Sequence, residues 1–409
     1  MHVCTFYERS EPGKSQIFRV SASKARSRGN AKHLRGWHGE QAWACRLYMV
    51  ESVSKMNTKI VKIKSDTASF SAEEDEALRR AGELLKRGGL VAFPTETVYG
   101  LGGDGLNRES CEKIYTAKGR PSDNPLIIHI CRMEDIDHIV KEFPESARRA
   151  AEAFWPGPLT MVLSKSDNVP YETTGGLDTV AVRFPSHPAA RKLIEYGGGY
   201  VAAPSANLSG RPSPTAAKYV IEDMDGRIDM ILDGGEGDIG LESTIVDMTV
   251  VPPRILRPGF ITGEMLEAIL GKVDTDVTII EPGSTQAPKA PGMKYRHYAP
   301  KGELTIVEGA PDKVIEYMNR TAAADKAAGE RTGIIASSDF LGSYRADVVK
   351  CVGSRKEEES IARNLFTVLR EFDNEGVTRI YSESFESQGL GQAIMNRLLK
   401  AAGHKVIKV

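Results

Sequence analysis

"KGRPSDNPLIIHI", Lys118 to Ile130, sets a lysine and an arginine on either side of a glycine, breaks the chain at two prolines, and then runs into an apolar strand interrupted by a histidine. Pro121 stops the helical pattern "RESCEKIYTA" before it, because proline lacks the amide hydrogen and biases its predecessor away from helix. A lysine point charge beside an arginine fork suits a polyphosphate, the fork taking oxygens in pairs while the ammonium neutralises charge. The same cations also suit a solvated helix C-terminus, where positive charge is favoured. Alternation puts His129 on the face opposite Ile128 and Ile130, either as a satisfied core histidine or as a neutral contact to a small substrate.

Upstream, "SAEEDEALRRAGELLKRGG" opens with Ser71 and Glu74 at capping-box spacing, carries Leu78, Ala81 and Leu85 on one face, and stops at Gly88 and Gly89. "LVAFP" reads as a short buried strand leading into "TETVYGLGGDGL", whose four glycines let the backbone turn closely. Downstream, "TMVLSKS", "TVAVRFP", "YVAAPSA", "MILDG", "STIVDM" and "RILRPG" read as strands with a few helices between them. That order predicts one large twisted mixed sheet over about residues 59–275. "EPGSTQAPKAPGMKYRHYAPKGE" follows as a linker, assigned to residues 276–301, in which Tyr295, His297 and Tyr298 sit among lysines and an arginine. Such a segment serves as a rigid connector or, through aromatic faces and cations, covers a nucleotide. Over 302–409 strands and helices alternate, which predicts a small parallel, Rossmann-like layer domain; no GxGxxG follows its first strand, so dinucleotide binding there is unsupported.

Three further features carry polar groups, of which the first serves either a ligand or an ordinary polar turn. In "VAAPSANLSGRPSPTAAKYV", Ser205 and Asn207 close a strand, and Ser213 before Pro214 reads as a helix N-cap whose free amides attract anions. Arg183 in "VAVRFP" and Arg257 in "RILRPG" are cations inside apolar strands, so each needs a carboxylate or a ligand anion as partner.

The 409 residues imply two or three units, and a formal net charge of -1 gives no overall pull toward nucleic acid or anionic membrane. No window is long and apolar enough to span a bilayer. The five cysteines form no CxxC pair, so neither a zinc site nor a disulfide framework is signalled. The first fifty-five residues hold ten Lys or Arg against four Asp or Glu and show no clear periodicity. Residues 1–58 are therefore set apart as an extension without regular structure. It reads as an organelle transit peptide or as sequence upstream of a start at Met56; the second is favoured, because "MNTKIVKI" opens directly into regular structure. The expected location is the cytoplasm.

Together, "PTETVYGLG", "KGRPSDNPLIIHI", "VAVRFP", "PSANLSG", "ESTIVD" and "LRPG", in this order, resemble the YrdC-like threonylcarbamoyl-AMP synthases over roughly residues 60–275. The linker and appended domain are similar to the long, two-domain form of that family. The resemblance implies an α/β protein with a YrdC-like catalytic domain that makes L-threonylcarbamoyl-AMP and pyrophosphate from L-threonine, bicarbonate or CO2, and ATP with Mg2+. A downstream transferase complex would then modify the adenosine at tRNA position 37. By the same resemblance Lys118 and Arg120 act at the phosphates with Ser205 and Asn207, while Asn124, Thr179, Ser213, Arg257 and Tyr295 are further ATP contacts. Thr97, His129, Arg183, the backbone near Ala203, and Ser243 correspond to the threonine pocket.

Two other readings remain in view. A cationic concavity on a sheet can hold RNA, and a weak RNA contact is retained, although near-neutral charge and the lack of an RNP-like aromatic strand oppose it as the main role. Carbamoyl transfer, as in hydrogenase-maturation proteins with a similar domain, would call for zinc-finger cysteine pairs and an acylphosphatase-like segment that this chain lacks.

Overall fold

The computed structural model describes residues 3–9, 15–21, 57–64, 69–276 and 297–409. The chain forms two bodies, Met1–Lys55 and Met56–Val409. In the first, β1 (Val3–Arg9) and β2 (Ser15–Ser21) pair antiparallel with Phe6 opposite Phe18, a regular pair that the reading of the extension does not anticipate. The rest of the extension, and the linker segment 277–296 with Tyr295, lie outside the described residues.

The second body holds two sheets. The larger contains β3 (Lys59–Lys62), β4 (Val91–Phe93), β5 (Gly100–Asp104), β6 (Ile127–His129), β7 (Leu159–Ser164), β8 (Thr179–Arg183), β9 (Val201–Ala202), β10 (Met230–Asp233), β11 (Thr244–Asp247), β12 (Arg254–Arg257) and β13 (Asp274–Thr275). Their order is β13-β12-β11-β7-β8-β6-β9-β5-β4-β10-β3, with parallel and antiparallel neighbours intermixed. This is the expected large mixed sheet. The smaller sheet comprises β14 (Glu303–Glu308), β15 (Thr332–Ser337), β16 (Val348–Gly353), β17 (Arg379–Glu383) and β18 (Val406–Lys408), in the order β16-β15-β17-β14-β18 with all pairings parallel. It is the expected Rossmann-like layer.

Local chemistry accounts for the helices that position the site. Ser71 and Glu74 form a reciprocal capping box at the start of Ala72–Lys86, whose Leu78, Ala81 and Leu85 are buried. Arg108–Lys118 is capped by Asn107 and ends at Gly119 in the left-handed region, φ 61°, where a side chain would be strained. After that turn Arg120 bonds the carbonyls of Asn124 and Pro125, just ahead of β6.

The glycine-rich segment corrects the sequence reading, because Gly100–Asp104 is a strand rather than a turn. The glycines are needed for close approach: a Cβ on Gly102 would meet Val201 Cγ1 at 2.9 Å and Phe93 Cε1 at 3.0 Å. Gly102→Ala is accordingly expected to destabilise the protein by about 1–3 kcal/mol through overpacking. A lower urea midpoint measures this; an unchanged midpoint would mean that the strands separate freely.

The layer domain is packed onto the large sheet through one continuous core. Val98, Leu241 and Tyr298 share a buried cluster with Leu365, Phe366 and Leu369 of helix Glu358–Asn374 and Ile394 of helix Gly389–Ala401.

Candidate active site

Between strands of the large sheet lies a cleft of about 590 Å³, its open mouth included. Of the residues expected at the site, Thr97, Arg120, His129, Arg183, Ala203, Ser205, Asn207, Ser213, Ser243 and Arg257 line it. Lys118 lies directly behind the wall, its Nζ donating to the carbonyls of Ser205 and Asn207. The ammonium is thereby locked to the "PSAN" segment, and Ser205 Oγ donates to Asn207 Oδ1 at 2.5 Å within that segment.

Two further expected residues do not reach the lining. Asn124 is buried beside Arg120, its Oδ1 without a hydrogen-bond partner, and its carbonyl accepts from the Arg120 fork at 3.3 Å. Thr179 begins β8; with Ile127 opposite Ala181, the register carried back two residues sets it opposite Pro125, whose carbonyl also accepts from Arg120 at 3.0 Å. Both therefore stand at the Arg120 end.

Arg183 closes β8 at the other end. Its NH2 meets Glu96 Oε1 at 2.6 Å, its NH1 meets Thr97 Oγ1 at 3.0 Å, and its Nε reaches the Gly157 carbonyl at 3.4 Å. A guanidinium has five N–H groups, so two remain for a ligand. His129 stands opposite Arg183 in the β6/β8 ladder, and Ser243 Oγ exchanges a 2.7 Å hydrogen bond with Thr160. Arg257 binds the Ser243 carbonyl at 3.1 Å and its hydroxyl at 3.2 Å. The buried cations thus find protein partners, and the cleft joins an arginine–hydroxyl end to a lysine–arginine end.

The N-cap expected at Ser213 is not made. The helix starts four residues later, at Ala217–Met224, with Ala216 at its N-cap. Ser213 Oγ instead donates to Glu242 Oε1 at 2.5 Å, and the Pro214 carbonyl accepts from the Tyr99 amide, which keeps the chain there out of helix.

Sequence reasoning missed two acids, Glu96 and Glu242. Each stands inside a motif stretch, "PTETVYG" and "ESTIVD", and the demand of buried arginines for carboxylates is the signal that could have found them. The linker does reach the cleft: His297 and Tyr298 line it, and Tyr298 adopts φ 64°, stacks on Phe366 at 5.0 Å and is buried.

Burial dominates the electrostatics. It pushes the Lys118 ammonium well below its ordinary range, with Arg120 adding to the effect, and takes Arg120 down to about 10. It also lowers His129 and His297 to about 3, helped by Arg183 and Arg120 respectively. Both imidazoles are then neutral across about pH 5–8, so activity is expected to show no histidine limb near about pH 6.5. A limb there that vanishes in His129→Gln would contradict this.

A cleft lined by Arg120, Arg183 and Arg257 in a large mixed sheet, with a second, all-parallel sheet in the same body, defines a two-domain α/β protein with a cation-rich site. Residues 83–259 match the Sua5/YciO/YrdC family, described as telomere recombination, and residues 261–403 match the family described as threonylcarbamoyl-AMP synthase, C-terminal domain. A Pyrococcus abyssi protein called threonylcarbamoyl-AMP synthase is 51% identical over 336 residues, 82% of this chain and 97% of its own. A Bacillus subtilis protein of the same name is 44% identical over 344 residues, 84% and 98%. The crystal structure of P. abyssi Sua5 complexed with L-threonine superposes with a TM-score of 0.81 at 48% identity, covering 86% of this chain and 100% of that one. The chain belongs to the two-domain Sua5/YrdC family of threonylcarbamoyl-AMP synthases.

Proposed function

We propose that this protein condenses L-threonine, bicarbonate or CO2, and ATP into L-threonylcarbamoyl-AMP with release of pyrophosphate. The observation that carries the reading is the continuity of the cleft: Arg183, with two N–H groups to spare beside Thr97, opens into the same space as Arg120, Ser205, Asn207 and Arg257. An amino-acid carboxylate at one end and a triphosphate at the other then share one line of attack. Relatives carrying the synthase name, and a threonine-bound structure, support it.

The carboxylated amine of threonine attacks the α-phosphorus through a carbamate oxygen; that O–P bond forms, the bond to the bridging oxygen of the β-phosphate breaks, and pyrophosphate leaves with the electron pair. Two anions approach only if charge is neutralised, which is the task of Arg120 and Arg257 at the phosphates and of Lys118 behind Ser205 and Asn207. Glu96 and Thr97 orient Arg183, which grips the carboxylate and fixes the approach. The threonine ammonium first loses a proton to solvent. Its amine then adds to CO2, or to bicarbonate with loss of water, the N–C bond forming as the second amine proton passes to solvent. The resulting carbamate is an anion that needs no protein base for its attack on phosphorus.

Among the described residues no group of three His, Cys, Asp or Glu side chains is placed to hold a metal. Mg2+ accordingly enters this reading as a component of the nucleotide substrate. Tyr295 would join His297 and Tyr298 over ATP, and Asn124 and Thr179 would serve its Arg120 end. The product passes to a separate tRNA-modifying transferase in the cytoplasm; any RNA contact by this chain is weak.

Purified protein incubated with ATP, threonine, bicarbonate and Mg2+ should yield pyrophosphate and the adenylated product by mass spectrometry, and should yield neither when any one substrate is omitted. Salt-dependent tRNA binding without pyrophosphate release would favour an RNA-binding role instead.

A further inference from the structure

The layer domain sets two fully buried arginines behind the cleft, bonded to Glu242 of its lining and to Pro258 and Pro212 next to it. Arg397, on helix Gly389–Ala401, meets Glu242 Oε2 at 3.1 Å and also donates to the carbonyls of Pro258, at 2.5 Å, and of Glu242, at 3.3 Å. Its targets adjoin the site on two strands: Glu242 precedes Ser243, and Pro258 follows Arg257. Glu242 in turn accepts from Ser213. Arg370, on helix Glu358–Asn374, approaches Ser213 from the other side, donating to the Pro212 carbonyl at 2.6 Å and to Asp223 Oδ2 at 2.8 Å. Ser213 is therefore bracketed, its side chain by Arg397 through Glu242 and its backbone by Arg370 through Pro212.

We propose that Arg397 is a positioning residue for the nucleotide half of the cleft, supplied by the layer domain and acting through Glu242 on Ser213 and Arg257. The inference rests on the synthase reading and assigns the second domain a task in it. Electrostatics explain why a positioning cation is needed there. Glu242 is a buried carboxylate in the lining of a cleft meant for phosphate oxygens, where an uncompensated anion repels the ligand. Burial opposes its ionisation, yet Arg397 first and Arg257 next hold the carboxyl below its usual range. Paired with Arg397, Glu242 is an acceptor that orients Ser213 and no longer a free charge. Unpaired, it competes with ATP for Arg257 and repels the phosphates. Threonine is held by Arg183 and Thr97 at the other end and meets this exchange only through Ser243, whose hydroxyl is also tied to Thr160.

The test uses the full chain and four variants. Arg397→Met should raise KM for ATP at least about tenfold while the threonine Kd, measured by calorimetry without nucleotide, stays within about twofold. Adding Glu242→Gln to Arg397→Met should recover most of the ATP KM, because the offending charge is gone while an acceptor for Ser213 remains. Arg397→Lys, which keeps the charge and loses the fork, should fall between and provides the readout should the methionine variant not fold. Arg363→Ala removes an interface bond to the Asp238 carbonyl, 2.8 Å, between two residues that do not line the cleft, and should leave both constants unchanged. Equal weakening of ATP and threonine, no recovery in the double variant, or an Arg363→Ala effect matching that of Arg397 would each reduce Arg397 to a docking contact and overturn the proposal. A wild-type chain that releases no pyrophosphate would instead defeat the synthase reading itself.

Discussion

Arg183→Met is expected to weaken L-threonine binding by about 2–5 kcal/mol, from roughly 30-fold to beyond 1000-fold in Kd, with a matching loss in kcat/KM for threonine. The size follows from the geometry. The guanidinium is nearly buried, three of its N–H groups are committed to Glu96, Thr97 and Gly157, and the two left over are the charged donors for a carboxylate. Methionine fills the volume and offers none. It also strands Glu96, whose Oε2 has no partner even in the intact site.

That stranded carboxylate makes a second, pH-dependent consequence. In the wild type, burial opposes ionisation of Glu96 but Arg183 holds its carboxyl below the ordinary range, so the pair contributes stability above the unfolded pKa that is lost as pH falls through the lowered folded one. Without Arg183, burial, the largest influence, outweighs the remaining backbone hydrogen bonds and the folded pKa rises above the unfolded value. The charged variant is then penalised at neutral pH, and the penalty shrinks under acid as Glu96 takes up a proton. The gap in melting temperature between wild type and Arg183→Met should therefore narrow between about pH 7 and about pH 4.5. A gap that is constant with pH would mean that Glu96 is not the partner that matters.

Lys118→Ala should reduce kcat by about 100- to 1000-fold while leaving the threonine Kd within about threefold. The lysine does two things at once. Its ammonium supplies charge behind the phosphate end, and its bonds to the Ser205 and Asn207 carbonyls shape the segment that presents both side chains. Alanine removes the charge and leaves two carbonyls unsatisfied, whereas the Arg183 end keeps every contact. Steady-state kinetics beside calorimetry separate the two effects; equal losses in turnover and in threonine affinity would assign Lys118 to general folding.

Because burial depresses Lys118, its charge disappears as pH rises through a folded pKa lower than that of an exposed lysine. The kcat/KM for ATP, which reports the free enzyme, should fall on the basic side accordingly. Bound triphosphate favours the ammonium, so the basic limb of kcat should lie at higher pH.

Much of the molecule was determined by local sequence. The capping box at Ser71 and Glu74, the Gly119 stop after Lys118, the alternation that turns His129 away from Ile128 and Ile130, and the repeating strands and helices after residue 302 each follow from short-range sterics and periodicity. Those forces act within one or two turns and leave a pattern in neighbouring residues. The site chemistry was legible for the same reason, since cations within apolar strands require partners wherever they lie.

Only the tertiary structure decided which partners these are. Glu96 reaches Arg183 across 87 residues, and Arg397 reaches Glu242 across 155. Ser213 abandons a well-formed capping signal because its hydroxyl bonds the Glu242 carboxylate, 29 residues further along the chain. Gly100–Asp104 becomes a strand because Val201 and Phe93 press against it, a crowding invisible along the chain. Buried electrostatics and close packing depend on which surfaces meet in space, and that information exists only once the sheet has closed and the second domain has docked.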